Sequence, residues 1–545
     1  MSTTKLGDAA KLTPKGASTD TLSLDEEHPN KYLISMAVIF GVLMSAIDTS
    51  VVNVALPEIQ GNVGATQQEI TWISTGYMIS VVILMPLTNW LSLRFGRKNV
   101  YIGSLVLFTL SSLLCGISHS LTELIIWRVV QGMGAGTLQP LAQAIFREAF
   151  PPEEQGIAMG IFGFVVLFGP AIGPTLGGYI TDNFSWPWIF FINLPIGIIG
   201  LAVAMRYLYD PPYMRGGQSG KIDAVGIGLL AVGLASLQVV LEQGQTEDWF
   251  NSPAIIAGSI LAAITLIVFV FYEWNHEDPA VDLKVLKDPT FASGTIIGGI
   301  LGVGLFASLF LLPQYMQILL RFTATQSGLT LMPRSLTMMI MMPIAGALYN
   351  RLGAKTMIGS GLVLCVYSQY LMAMFTLQTS TSEILIPQVI QGVGFGLVFV
   401  ALSTVALANI PRAKMTSAAG LNNLIRQLGG SFGTSVVVTV LTRQNDVARA
   451  NLVANLQPTN QAFQERVAGI QHMFSMHGYG PGAAHEAALR LLNGQLVRQT
   501  EMLGYEYIFM GIGLLFVACL PLVFILKQPK KMEPTAAGES AVVEL

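Results

Sequence analysis

The chain has 545 residues, 52% of them hydrophobic and only 11% charged, with 29 Lys and Arg against 32 Asp and Glu for a net charge of −3. A soluble domain carries about 25% charged residues, so this composition cannot dress a surface for water, and most of the exterior must face lipid or other helices. A near-neutral balance without a basic block excludes nucleic acid as a partner.

The first 31 residues are polar and hold no apolar run that could act as a signal peptide, so residues 1–31 are expected to form a disordered tail, with the first span serving as an uncleaved anchor. A membrane span needs about 20 mostly apolar residues, and fourteen such stretches follow. The first six are 32–56, 70–92, 99–118, 121–146, 156–180 and 188–208; two more are 222–243 and 252–272; the last six are 292–319, 327–350, 356–377, 383–409, 415–441 and 503–526. Stretches this long exceed barrel strands, so the fold class is all-α integral membrane. Cys115, Cys365 and Cys519 each sit inside an apolar run, which makes neither a disulfide framework nor a metal spacing.

Basic residues set the expected orientation. With an even number of spans both termini share a side, and every lysine, from Lys5 through Lys98, Lys221, Lys284, Lys355 and Lys414 to Lys531, falls on it. Short loops on the other side hold a single basic residue, Arg321. Both ends are therefore expected in the cytoplasm, and a miscount by one span would scatter the lysines over both faces.

The chain also repeats itself. MPLTNWLSLRFGRK (85–98) aligns with MPIAGALYNRLGAK (342–355) at an offset of 257, and IWRVVQGMGAG (126–136) with IPQVIQGVGFG (386–396) at 260. At 260, Gly160 meets Gly420, Gly169 meets Gly429 and Gly173 meets Gly433. The expected layout is an N-terminal six-helix half at 32–208, an inserted helix pair with its flanking loops at 209–291, a C-terminal half at 292–526 containing one long external loop at 443–502, and a cytoplasmic tail at 527–545.

Two duplicated six-helix halves are the plan of the major facilitator superfamily, in which substrate is held near the membrane midplane between halves that rock. Within it, IDTSVVNVALP (47–57) resembles the signature of the fourteen-helix drug:proton antiporters, and RVVQGMGAG (128–136) their R-x-x-Q-G-x-G motif. Gly160, Gly169, Pro170, Gly173, Pro174, Gly177 and Gly178 reproduce the antiporter-motif spacing. SWPWIFFINLPIG (185–197) and the inserted pair are also similar. The resemblance covers residues 32–527 and is closest to EmrB-type multidrug exporters. It implies proton-driven export of amphipathic drugs and toxic small molecules across a bacterial inner membrane, with membrane lipids around the chain. A periplasmic membrane-fusion adaptor meeting the external loop and an outer-membrane channel beyond it are the implied partners; a cap over the outer vestibule is the plainer role for that loop.

Asp48 lies eight residues inside Leu56, about 12 Å below that end of its helix, and Arg128 seven inside Leu121, about 10 Å deep. An ionised acid at that depth must be paired, hydrated or protonated, and a protonatable acid facing a fixed cation is a workable switch. A static interhelical ion pair is the plainer reading. Gln131, one turn from Arg128, is placed to orient the guanidinium or to meet substrate. Gly169, Gly173 and Gly177 form a stripe with prolines alongside, which the resemblance makes a seal against leak and packing alone makes a tight helix contact. Loop 2–3 keeps Gly96 and Arg97 but has Asn89 and Leu93 where the superfamily has glycine and aspartate. Without that acid, Arg97 is expected to serve orientation only.

Asn53, Tyr77, Gln314, Tyr315, Gln317 and Arg426 are candidates to line the substrate cavity, and Arg334 is expected near an outer helix end, snorkelling. His472, His477 and His485 are spaced too loosely for a metal site. No cofactor is expected, since no phosphate-binding G-x-x-x-x-G-K-[ST] loop occurs. An intramembrane enzyme would need clustered His, Asp or Glu near a face, and a channel would not need the duplicated halves. A dedicated exporter of one metabolite, such as a siderophore, lipid or pigment, stays open beside the multidrug reading.

Overall fold

The computed structural model describes residues 31–210 and 223–526, apart from Asn455 and Pro458. The two expected tails, save for Lys31, lie outside the described residues, as does Lys221. Among the described residues every regular element is helical. Fourteen long helices, numbered here in chain order, make the bundle: α1 (Lys31–Val63), α2 (Trp72–Phe95), α3 (Arg97–Gly116), α4 (Leu121–Ala149), α5 (Gln155–Asn183), α6 (Asn193–Tyr207), α7 (Ala224–Gln243), α8 (Pro253–Asn275), α9 (Pro289–Gln314), α10 (Ala324–Leu352), α11 (Ala354–Met372), α12 (Thr381–Ala406), α13 (Met415–Val453) and α14 (Pro481–Ile525). The face where α1 begins is called the near face.

Twelve helical stretches are long and apolar enough to cross a bilayer on composition alone. The other two spans, α4 and α11, carry polar groups that the bundle shields. Arg128, Gln131 and Gln143 of α4 are buried where it packs between α2 and α3, and Ser368 and Gln369 of α11 are buried between α12 and α14. At the opposite extreme α8 turns Ile256, Ile260, Ile264, Ile267 and Phe271 outward, as a lipid-facing helix does.

The repeat is visible in the packing. α4 lies on α2 and α3, and α1 on α5; in the second half α12 lies on α10 and α11, and α9 on α13. Gly132 rests on the Tyr77 carbonyl and Gly392 on that of Arg334, so these two residues occupy equivalent places. The turns from α2 to α3 and from α10 to α11 both pivot on glycines at positive φ, Gly96 (83°) and Gly353 (75°).

Contacts between the halves concentrate towards the near face. Gly156 of α5 meets the Gly346 backbone of α10. Gly160 lies against Met342 and Pro343, and its repeat partner Gly420 against Met85 and Pro86. The Asn350 amide donates to the Glu153 carbonyl at 2.5 Å, and the Asn423 amide to Gln143 Oε1 at 2.6 Å. α7, from the inserted pair, lies along the seam between α2 and α13: Gln238 donates to Ser431 Oγ at 3.0 Å and Gln243 to Thr71 Oγ1 at 3.2 Å.

Two boundaries differ from the sequence expectation. α1 continues past Pro57 to Val63. The segment 443–502 is mostly helical rather than a loop: α13 runs to Val453, α14 starts at Pro481, and a separate helix, Gln461–Met476, packs Val467 and Ile470 against Ala488 of α14. At 45 residues α14 is about 68 Å long at 1.5 Å per residue, against a hydrocarbon core of about 30 Å. The excess length of these helices stands clear of the bilayer on the far side.

At Gly96 the backbone has φ 83° and ψ 144°, a region open in practice only to glycine, and a Cβ there would stand 2.8 Å from Asp210 Oδ2. Gly96→Ala is expected to cost about 1–3 kcal/mol, read as a lowered Tm of the purified protein against the same change at Gly103, where nothing lies within 4 Å.

Candidate functional site

Asp48 of α1 is 0% exposed and Arg128 of α4 is 1% exposed. The guanidinium donates from Nη1 to Asp48 Oδ2 at 2.6 Å and to Gln131 Oε1 at 2.8 Å, and from Nε to the Ile73 carbonyl at 3.4 Å. Gln131 Nε2 returns a bond to Asp48 Oδ1 at 2.9 Å. The Tyr77 ring lies over the guanidinium, 4.1 Å from centroid to Cζ. A charge pair removed from water is tolerable when its remaining lone pairs and protons are satisfied, and these partners meet both carboxylate oxygens and the Nε and Nη1 groups of the guanidinium. Asp48, Arg128 and Gln131 thus form one unit on α1 and α4.

Sequence reasoning missed a member. Asn193, at the start of α6, donates to Asp48 Oδ1 at 2.9 Å and to Ser112 Oγ at 3.1 Å, and Ser112 in turn donates to the Phe190 carbonyl. The available signal was a lone amide inside the apolar run WIFFINLPIG.

Beside this unit, between the halves, lies a cavity of about 180 Å³. Thr49 and Tyr77 form its wall next to the ion pair, and Pro170 of α5 and Met338, Phe306 and Phe399 of the second half supply much of its apolar surface. Asp48 is one layer behind that wall. Of the six candidate lining residues, Tyr77 and Arg426 border the cavity; the other four stand elsewhere. Asn53 is exposed and accepts from Ser74 at 3.0 Å. Gln314 ends α9, and Gln317 is exposed in the wide π turn Tyr315–Leu319 that follows. That turn swings Tyr315 into an aromatic cluster with Phe375 and Tyr505, where its hydroxyl donates to the Thr376 carbonyl at 2.7 Å.

Two arginines also differ from expectation. Arg334 does not snorkel: it is 2% exposed, borders the cavity and donates to Gln391 Oε1 at 3.2 Å. Arg97 does more than set orientation. It is 3% exposed and holds Glu148 of α4 through two bonds of 2.7 and 3.1 Å, with a third to Thr416 Oγ1 in the other half at 3.0 Å. An acid in the same half has taken the place of the missing aspartate, and a hydroxyl provides the bond across.

The glycine stripe of α5 packs within the N-terminal half. Gly169 lies on Ala46, Gly173 on Ser50 and Gly177 on Val51, all on α1 within one turn of Asp48, whereas Gly178 faces open space. Pro170 and Pro174 lie inside the same helix. The stripe therefore fixes the distance between α5 and the helix that carries the acid.

Comparison with known proteins agrees with this architecture. The profile of the Major Facilitator Superfamily matches residues 38–434. The chain belongs to the major facilitator superfamily. It is a membrane transporter and not an enzyme. It is 32% identical over 499 residues to the Escherichia coli (strain K12) multidrug export protein EmrB, covering 91% of this chain and 95% of that one. It is 30% identical over 498 residues to the Neisseria gonorrhoeae fatty acid resistance protein FarB, covering 91% and 96%. In fold it is similar to the solved human organic anion transporter MFSD10, with a TM-score of 0.59 at 14% identity over 91% of this chain and all of that one. Within the superfamily the chain is of the EmrB type.

Two expectations follow from the packing. Gly169→Leu should lower Tm by several degrees, because the added atoms meet the Ala46 backbone, at an overpacking cost of about 1–3 kcal/mol, while Gly178→Ala leaves Tm unchanged. Asn193→Ala removes one donor from Asp48 and should cost about 1–3 kcal/mol in the same thermal assay.

Proposed function

We propose that this transporter is a proton-coupled antiporter that exports amphipathic small molecules from the cytoplasm by alternating access, with the near face and both termini cytoplasmic in a bacterial inner membrane. The observation that carries this reading is the fully buried Asp48–Arg128 pair one residue layer from an apolar cavity. The similarity to EmrB supports it.

The energetics constrain the mechanism. One proton crossing 100 mV releases about 2.3 kcal/mol, whereas removing one partner of a buried ion pair costs about 3–5 kcal/mol. A proton can neutralise Asp48 only if Arg128 keeps other acceptors, and the Gln131 amide oxygen, the Ile73 carbonyl and the Tyr77 ring provide them. Tyr77 is shared between this unit and the cavity wall. Freeing the guanidinium from Asp48 would shift that ring, so protonation and substrate occupancy act on one side chain. The cross-half bonds at the near face correspond to the half of the cycle closed to the cytoplasm. Gly160, Gly420 and the Arg97–Glu148–Thr416 group are the contacts that must part for the other half. The α13–α14 extension with helix Gln461–Met476 is the docking surface for a periplasmic adaptor leading to an outer-membrane channel.

A dedicated exporter of one endogenous metabolite, such as a siderophore, lipid or pigment, is the second reading; the modest cavity and the likeness to a fatty acid resistance protein favour it. Gradient-driven efflux of a panel of ethidium, hydrophobic uncouplers and aromatic acids, measured in proteoliposomes for the native chain and Asp48→Asn, separates these. The native chain should move several panel members, and the variant should still bind them without responding to the gradient. Equal transport by both would remove Asp48 from coupling. Movement of a single compound class would favour the dedicated exporter.

A further inference from the structure

The two halves carry equivalent polar clusters with different chemistry. In the first, Gln131 bonds an acid, and that acid cancels Arg128. In the second, the equivalent Gln391 donates to Ser308 Oγ at 3.3 Å, and Gln369 donates to the same hydroxyl at 3.0 Å. Gln388 stands at the place of Arg128, and a cation appears instead on α10, where Arg334 takes the place of Tyr77. One turn of Gln391 thus joins a guanidinium to a neutral hydroxyl.

Arg334 therefore has no counter-charge: among the described residues no carboxylate pairs with it. The same holds for Arg426 of α13, which donates to Asn423 Oδ1 and lies over the Phe399 ring at 5.0 Å. Both border the central cavity, whose wall holds no Asp or Glu. An arginine cannot shed its charge, and a buried cation with only neutral acceptors is poorly compensated. The rest of the wall is mostly apolar, with Phe306, Met338, Phe399 and Leu402 among its residues, and its other polar groups, such as Gln139, Asn422 and Gln427, are neutral.

We propose that Arg334, with Arg426, is the binding site for the anionic head of an amphipathic substrate, a carboxylate or similar oxyanion whose apolar body lies along the cavity wall. The duplicated cluster has been divided, the first copy holding an acid and the second a receptor for the cargo's negative charge. This assignment rests on the transport reading above and names the class of cargo for the same cavity.

The test is equilibrium binding of radiolabelled laurate, dodecylamine and 1-dodecanol, which share a tail and differ in head charge, to the purified full chain in lipid nanodiscs with empty discs subtracted. Laurate should bind roughly tenfold or more tightly than the other two. Arg334→Gln and Arg426→Gln should each weaken laurate by roughly tenfold and leave dodecanol unchanged, whereas the charge-keeping Arg334→Lys and Arg426→Lys should retain laurate binding. Dodecylamine binding as well as laurate, or laurate indifferent to both glutamine variants, overturns the assignment. Should Arg334→Gln fail to fold, Arg426→Gln and the order of the three probes still decide. Gradient-driven uptake measured in parallel separates the two claims. Charge-ordered binding without gradient response sinks the antiport reading and leaves the anion site standing; gradient-driven movement of dodecylamine with charge-blind binding does the reverse.

Discussion

A carboxylate and a guanidinium held away from water at the centre of a helical bundle impose conditions on everything near them. The pair can exist only if each remaining lone pair and proton is met, and the demand recruits residues from four segments: Gln131 on α4, Asn193 at the start of α6, Ser112 on α3 and the Ile73 carbonyl on α2. Tyr77 closes the remaining side with its ring. The six helices of the first half are thereby fixed around a polar centre, and the glycines of α5 set how closely α1 approaches from behind. A slight misplacement of α1 would leave a buried charge unmatched, which explains why this contact is backbone against glycine.

The second half keeps the packing and discards the acid. Gly392 and Gly396 sit on α10 as Gly132 and Gly136 sit on α2, and Gly429 and Gly433 sit on α9 as Gly169 and Gly173 sit on α1. Close helix crossings depend on small residues at fixed spacing and tolerate no drift. Side chains pointing into the space between helices are free of that constraint, so geometry survives duplication while chemistry diverges.

That division also explains what could be read from the sequence. Fourteen spans, the repeat and the depth of Asp48 and Arg128 follow from apolar run lengths, lysine placement and a rise of 1.5 Å per residue. Partners far apart in the chain do not: nothing in the one-dimensional order tells which acid meets Arg97, 51 residues from Glu148, or that Asn193 reaches Asp48 across 145 positions. The direction of the Tyr315 ring is not legible either, since the π turn after Pro313 sets which way it points. The segment beyond the far face reads as a loop with amphipathic stretches, because its mixed polar sequence lacks the apolar length of a span. For Arg334 the distance to a helix end suggests snorkelling, yet depth along a helix says nothing about which side of it faces protein.

α7 is bonded to both halves, through Gln238 to Ser431 and through Gln243 to Thr71. A duplicated bundle has two equivalent lateral seams, and the insertion covers the one between α2 and α13, while among the described residues no such helix covers the one between α5 and α10. In the proposed cycle, rocking of the halves shears the α7 bonds on one flank and slides glycine contacts beside the Asn350–Glu153 bond on the other. The proposed motion is then lopsided, closer to a door swinging on a stitched edge than to a symmetrical rocker, with the larger excursion expected against lipid on the less stitched side.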